Sequence, residues 1–432
     1  MAEAFRFGGH KATLETGEVE FYFTLVHSGT ETQFTEKIAF APAHALPPSE
    51  LVEVVLQNIA LALGITYWKL TCPANIDLGP YTMAEGEAAF WETIYTKGLG
   101  EFQYRNNLNL SKIVHFARTA KKSSPIAYVR QARSLLFVGG GRDSIVAGEL
   151  LKACNQPFEA FVMNPEHLQR EVAGLMGVSL RTIKRTIDPQ FFEINLREGM
   201  YRGHVPISLV YALLGLLEAI LADYRYLVVA NEASSDYGNV EYNGEIVNHQ
   251  WSKSTEFEAL FRRFVHDYIT HDVSYFSLLR PLTEIRITEI FSRYPQYFST
   301  FSSCNTNFKL IKSVGAPLWC GQCPKCAFVF AMLAAYLPKK DVVAIFGKDL
   351  FADATLLPLY EELLGLRNFK PFECVGTPEE MRAALNMAST RKEFAEAPVM
   401  SLLERKYTAK EVLLHKEATT MPEGFKACIA NI

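Results

Sequence analysis

The first forty residues alternate apolar and polar side chains in period two, as in Glu18-Val19-Glu20-Phe21-Tyr22-Phe23, with turn residues at Thr16-Gly17 and Ser28-Gly29. That rhythm predicts a small antiparallel sheet. Pro47-Pro48-Ser49 ends it, and Ser49 stands where it would cap a helix over residues 51–63. A second helix is predicted over residues 83–96. Residues 1–120 thus read as an α+β module of their own, closed by a linker at Lys121-Lys122-Ser123-Ser124-Pro125.

From Arg133 the rhythm changes to strand, loop, helix. Short apolar runs at 135–138, 158–163, 182–187 and 226–230 predict strands, and helical patterns over 144–153, 166–176 and 206–222 lie between them. Apolar strands alternating with helices predict a doubly wound parallel sheet covered on both faces, here an α/β domain over residues 130–300. From about residue 255 onward the chain reads as mainly helical. Thr377-Pro378-Glu379-Glu380 marks one start, with an N-cap, a proline at the first helical position and acids in the first turn. Residues 301–432 form the third region.

Length and charge narrow the function classes. A chain of 432 residues suits two or three domains. With 49% hydrophobic and 21% charged residues it has the balance of a globular protein. A net charge of −4 and no clustered basic stretch argue against nucleic acid as a partner. The apolar run over 207–222 is 16 residues long and carries Glu218, too short for a membrane span. The first residues lack a basic stretch followed by an apolar core, so no signal peptide is expected.

The strongest chemical signal is Val138-Gly139-Gly140-Gly141-Arg142-Asp143-Ser144, directly after a strand and before a helix. Consecutive glycines let backbone amides approach an anion, and the helix start adds free N–H groups and a positive dipole end. Asp143 beside phosphates implies an intervening Mg²⁺. The alternative is a plain glycine-bearing turn. The segment resembles the PP-loop of enzymes that cleave ATP between its α and β phosphates, within a HUP-like fold. Gly139 stands where that loop has its first Ser, which shifts pyrophosphate binding toward the amides and Arg142. Asp143 and Ser144 are then expected to hold Mg·ATP.

Four of the eight cysteines are scattered (Cys72, Cys154, Cys374, Cys428), whereas Cys304, Cys320, Cys323 and Cys326 bunch together. Such a bunch reads as tetrahedral Zn²⁺ in a reducing, cytoplasmic setting, with Lys325 helping to keep the thiolates ionised. An iron–sulfur cluster and free thiols are the alternatives. A site closed by four cysteines is structural. It resembles the zinc knuckle of 7-cyano-7-deazaguanine synthases.

Two polar segments are candidates for chemistry. Asn231-Glu232-Ala233-Ser234-Ser235 follows a strand, where ligands of open parallel sheets bind. Asn248-His249-Gln250-Trp251-Ser252-Lys253-Ser254-Thr255-Glu256 is dense in groups that move protons or bind phosphates, although Ser254 or Thr255 would also cap a helix. His204, just before an apolar helix, reads as a capping or core histidine.

Taken in order, Phe34-Thr35-Glu36, the run from Gly98 to Asn106 with Arg105, the glycine loop, Asn231 to Ser234, Asn248 to Ser254 and the Cys320–Cys326 knuckle resemble one family. It is the UDP-N-acetyl-α-D-muramoyl-L-alanyl-L-glutamate epimerases of the MurL type. The likeness spans residues ~4 to ~340, and Arg142 stands where the family has Lys. It implies inversion of the terminal L-Glu of UDP-MurNAc-L-Ala-L-Glu, with ATP going to AMP and diphosphate, in peptidoglycan precursor synthesis. His249, Lys253 and Glu256 are then the expected acid–base residues, and Asn231, Glu232, Ser252, Ser254 and Arg105 the expected substrate contacts. The rivals are a PP-loop synthase making an amide or nitrile and, further off, a zinc module binding nucleic acid.

Overall fold

A computed structural model of the chain describes residues 3–42, 47–120, 124–305, 317–403 and 421–430. Alternation at the start yields three antiparallel strands, β1 (Ala4–Thr13), β2 (Glu18–His27) and β3 (Thr30–Phe40). Phe21, Phe23 and Leu25 point into the core while Glu20, Tyr22 and Thr24 between them are more open. They pack on α1 (Ser49–Trp68), which is buried on nearly every side. Its 20 residues are long and apolar enough to cross a membrane, yet 83% of that window is buried in the protein, as befits a central core helix. Pro48, not Ser49, occupies its N-cap and no side chain caps it, because the proline pair fixes the entry.

After β4 (Ile76–Asp77), α2 (Glu85–Lys97) and α3 (Gly100–Asn106) come the α/β units. These are β5 (Ser134–Phe137), α4 (Arg142–Ala153), β6 (Phe158–Met163), α5 (His167–Met176), β7 (Leu180–Thr186), α6 (Pro189–Ile194), α7 (Ile207–Ala222) and β8 (Tyr226–Val229). A hairpin of β9 (Val240–Tyr242) and β10 (Glu245–Val247) leads to α8 (Thr255–Phe264) and β11 (Ser274–Ser277). Helices α9 (Glu284–Phe291), α10 (Pro324–Ala334), α11 (Lys339–Phe346), α12 (Leu357–Leu363), α13 (Pro378–Ser389) and α14 (Glu423–Ala430) follow. The capping box predicted at Thr377 forms, with its hydroxyl accepting from Glu380 N.

All the main strands join one nine-stranded sheet in the order β11-β8-β5-β6-β7-β3-β2-β1-β4. The run from β11 to β7 is parallel, as apolar strands alternating with helices require. One expectation changes. The stretch 1–120 does not stand apart, since β3 pairs antiparallel with β7 from Lys37↔Thr186 to Phe40↔Ile183 and α1 packs on α7. The stretch from 255 is mainly helical, as expected, and also contributes β11 at the sheet edge. Ser124 and Pro125 of the expected linker are extended chain, and Lys121, Lys122 and Ser123 lie outside the described residues.

A second difference concerns the cysteines. Cys154, at the end of α4, is disulfide-bonded to Cys428 on α14. The two are 274 residues apart in sequence and meet only because the last helix packs on α4.

Across the β3–β7 junction, the buried Arg185 donates to Glu36 Oε1 at 2.5 Å and to Thr66 Oγ1 at 3.1 Å. Glu36→Ala would leave a buried guanidinium without its counter-charge. The expected loss is about 3–5 kcal/mol of unfolding free energy, read from the urea midpoint, with Glu36→Gln milder because it keeps an acceptor.

Candidate active site

Residues 138–141 turn the chain from β5 into α4 at the carboxyl end of the sheet. Gly140 has φ +83°, in the left-handed region that favours glycine. A Cβ built on Gly139 meets nothing within 4 Å, so this glycine faces open space of the kind a phosphate fills. The carbonyls of both glycines are engaged, Gly140 O by Ser302 N at 3.1 Å and Gly139 O by Gln169 Nε2 at 3.3 Å. Helix α4 starts without a side-chain cap bond, which leaves its first amides for an anion.

Arg142 is not aimed at that space. Its guanidinium is buried, ion-paired with Glu284 of α9, and donates to Thr288 Oγ1 at 2.7 Å and Asp143 Oδ1 at 2.9 Å. It orients Asp143 rather than reaching out as a phosphate clamp. Ser144 Oγ is likewise used internally, donating to Gly141 O at 3.0 Å. Asp143, Glu232 and Glu284 bring carboxylate oxygens within 4.8 Å of one another, a donor set that fits a hard divalent cation.

Arg280, three residues beyond β11, assembles the loops around this point. It donates to Glu258 Oε2 (2.9 and 3.1 Å), Glu232 O (2.9 Å), Ser235 Oγ (2.7 Å) and Lys253 O (2.7 Å). Asn248 Nδ2 ties the next segment to Ser235 O at 2.8 Å. Asn239 accepts from His249 N at 2.8 Å and donates to Lys370 O and Pro371 O, while Gln250 donates to Val375 O at 3.3 Å. The segment 370–375, far away in sequence, is thereby stitched onto the site.

That stitching gathers a set of titratable groups. His249 shares a 2.5 Å hydrogen bond with Glu101 Oε2 through Nδ1 and lies near enough to Cys374 for the charges of the two groups to act on each other. Lys253 Nζ donates to Cys374 Sγ at 3.3 Å, and Lys325 Nζ donates to the Cys374 carbonyl. The His204 ring lies 4.8 Å, centroid to centroid, from that of His249, at an interplanar angle of 51°. All four of His204, His249, Lys253 and Cys374 keep part of their surface open. Burial works against the charge on His249, but Cys374 and Glu101 carry the imidazole up to about 9. Burial, with the His249 charge beside it, pushes His204 down to about 3. Burial also opposes the Cys374 thiolate, and the Lys253 and His249 charges overcome it, holding the thiol well below its usual range.

Of the predicted acid–base residues, His249 and Lys253 are therefore brought together, whereas Glu256 is not. Its carboxylate faces Lys97 Nζ (2.6 Å) and Trp251 Nε1 (2.9 Å), on the outer side of α8. Ser254 caps α8, accepting from Phe257 N at 3.2 Å, and Ser252 is buried in the preceding turn. Asn231 O accepts from Ser277 Oγ at 2.6 Å, and Glu232 is buried beside Asp143. Arg105 is bonded to Glu101 and lies 5.0 Å over the Phe372 ring, half exposed beside the segment carrying Cys374. His204, expected to be a capping or core residue, belongs to the site. Glu101 and Cys374 were also missed. No local pattern marks Cys374 as different from the other scattered cysteines, because its partners come from elsewhere in the fold.

The four bunched cysteines do converge. Sγ separations are 4.0 Å (Cys304–Cys323), 3.7 Å (Cys320–Cys326) and 3.5 Å (Cys323–Cys326). Four thiolates about 2.3 Å from one tetrahedral Zn²⁺ stand roughly 3.8 Å apart, so the set fits zinc. Cys323 is the N-cap of α10, which places Lys325 between two of the cysteines and against Cys374.

A glycine turn at the carboxyl end of a parallel sheet, three converging carboxylates and an adjoining acid–base cluster define an α/β enzyme. Sequence comparison narrows the class: the family description MurL N-terminal domain matches residues 1–278 and MurL C-terminal domain matches residues 300–418. A UDP-N-acetyl-α-D-muramoyl-L-alanyl-L-glutamate epimerase of a Micromonospora species is 37% identical over 407 residues, 93% of this chain and 90% of that protein. Proteins of the same name from Xanthomonas oryzae pv. oryzae (38%, covering 81% and 77%) and Salinispora tropica (35%, covering 93% and 88%) are similar. The chain belongs to the MurL family, and its class of enzyme is an isomerase.

Two outcomes follow from the geometry. Purified protein is expected to carry about one zinc per chain by elemental analysis. Cys323→Ser should lose it and become insoluble, since structural zinc contributes roughly 10–16 kcal/mol. Arg280→Lys keeps the charge but not the five-donor fork, and should lower unfolding stability by about 1–3 kcal/mol, measured by urea titration.

Proposed function

We propose that this enzyme inverts the α-carbon of the terminal L-glutamate of UDP-MurNAc-L-Ala-L-Glu to the D form, in the cytoplasm, as a step of peptidoglycan precursor synthesis. ATP is its second substrate and leaves as AMP and diphosphate. The observation that carries the reading is that Asp143 and Glu232, beside the open glycine loop, act electrostatically on Lys253, which bonds Cys374 in the cluster with the two histidines. The family name of the relatives supports the substrate.

The chemistry explains why a phosphate loop and an acid–base pair should adjoin. A proton next to a free carboxylate is very hard to remove, because the resulting carbanion sits beside an existing negative charge. Joining the carboxylate to the AMP phosphate removes that charge and lets the carbonyl take up electron density as an enolate. The amides at Gly139–Gly141 and the start of α4 bind the phosphates, and Asp143, Glu232 and Glu284 would hold Mg²⁺, which offsets their charge. His204 and His249, the latter charged and held by Glu101, are the imidazoles placed to carry the α-proton. Neither nucleic acid nor a membrane enters this scheme.

In heavy water with Mg·ATP, the D-Glu product should carry deuterium at the glutamate α-carbon. Retained protium in inverted product would exclude the enolate, and AMP release without inversion would favour the amide- or nitrile-forming synthase. Asp143→Ala should abolish AMP and diphosphate formation while the circular dichroism spectrum stays that of wild type. The raised His249 is charged below about pH 9, so inversion should fall as the pH climbs through that value, and His249→Gln should remove that limb of the profile.

A further inference from the structure

Cys374 has a use in this site that neither nucleotide binding nor proton transfer by the histidines accounts for. Glu101 holds Nδ1 of His249 at 2.5 Å, and the charge of that imidazole acts on the Cys374 thiol. A nucleophilic sulfur, an imidazolium that stabilises its thiolate and a carboxylate that orients the imidazolium form a constellation suited to covalent catalysis. Lys253 Nζ adds a donor at 3.3 Å from Sγ, and Cys374 as a residue is only partly buried. The position is built rather than incidental. Gln250 and Asn239 bond the backbone on both sides of Cys374, at Val375, Lys370 and Pro371, and Lys325 donates to its own carbonyl.

We infer that Cys374 is the acyl acceptor of the reaction: its sulfur takes the activated glutamyl group from AMP, and inversion takes place on an enzyme-bound thioester. The inference rests on the adenylation reading above. In the first step a lone pair of Sγ bonds to the acyl carbon, and the bond from that carbon to the phosphate oxygen breaks with its electron pair leaving on AMP. The α-proton is then removed and returned on the opposite face. Finally water cleaves the C–S bond. Its oxygen enters the carboxylate, the electron pair of the broken bond returns to Sγ, and the two protons of the water pass to solvent. No reactant beyond ATP, substrate and water is needed.

Two features favour acyl transfer over proton transfer for this sulfur. A thiolate stabilised by two adjacent cations is a weak base toward a C–H bond, yet it remains a competent nucleophile toward an acyl phosphate whose leaving group is AMP. A thioester also keeps the carbonyl electron-accepting while tethering the substrate, so AMP release does not end the exchange.

The test compares wild type with Cys374→Ala and Cys374→Ser. Wild-type enzyme mixed with Mg·ATP and UDP-MurNAc-L-Ala-L-Glu, quenched in acid and weighed intact, should carry one substrate less one water. That mass should map to the Cys374 peptide and be removed by neutral hydroxylamine. Both variants should retain substrate-dependent exchange of labelled diphosphate into ATP while losing inversion, α-deuterium uptake and AMP turnover by at least about a hundredfold. Variant folding is checked by wild-type zinc content and circular dichroism, and the serine variant preserves side-chain shape should alanine disturb the site. Inversion by Cys374→Ala at the wild-type rate would overturn the assignment. So would variants that exchange diphosphate but do not invert alongside a wild-type enzyme showing no adduct, which would make the sulfur a proton carrier instead. Absence of diphosphate exchange and of AMP in wild type would instead remove the adenylation reading, and the acyl acceptor with it.

Discussion

Arg280 is the constraint on which the site depends. A guanidinium has five N–H groups in a fixed plane, and here they are directed at Glu258, two backbone carbonyls and a serine hydroxyl. Those acceptors belong to α8, to the loop after β8 and to the segment carrying Lys253. Taking a cation out of water is costly, and the cost is offset only when each donor meets an acceptor. The three loops therefore have one low-energy arrangement. Glu232, beside Asp143, and Lys253, beside Cys374, are consequences of that arrangement rather than independent features.

Much of the fold was legible because it is written in periodicity. Alternation over Glu18–His27 and the apolar runs that became β5, β6 and β8 report burial directly, and the capping box at Thr377 marks a helix start. The joining of β3 to β7 was not legible, since the edge of a strand carries no mark of which strand will meet it. The same divide runs through the site. Gly139, Asp143 and the four clustered cysteines lie close together in sequence and could be read as units. Arg142 could be read as a charge near phosphates, but not as the partner of Glu284, which lies in α9. Cys374 reached the site through backbone bonds to Gln250 and Asn239, which leave no pattern at Cys374 itself.

The cysteine knuckle takes on a meaning beyond holding the chain together. Lys325 lies between Cys323 and Cys326 and ends on the carbonyl of Cys374, so the four-cysteine cluster and the loop carrying Cys374 are joined through one lysine. A closed four-sulfur site leaves no open position for chemistry of its own. Its contribution is precision elsewhere, because a locked N-terminus of α10 locks the lysine that steadies the neighbouring loop.

The junction of β3 with β7 bears on how the chain is made. β3 closes at Phe40, but its pairing partners run from Ile183 to Thr186. During synthesis the N-terminal meander emerges with that edge bare while more than a hundred further residues are added. A bare strand edge is a template for pairing with other chains. The opposite end of β3 is polar, with Thr30, Glu31 and Thr32 exposed or half-buried, and Lys37 remains at the surface of the waiting edge. Charge on a strand edge discourages pairing between identical nascent copies. The charge set on that seam is Lys37, which pairs with Glu20 on β2 and lies opposite Thr186 once β7 has joined.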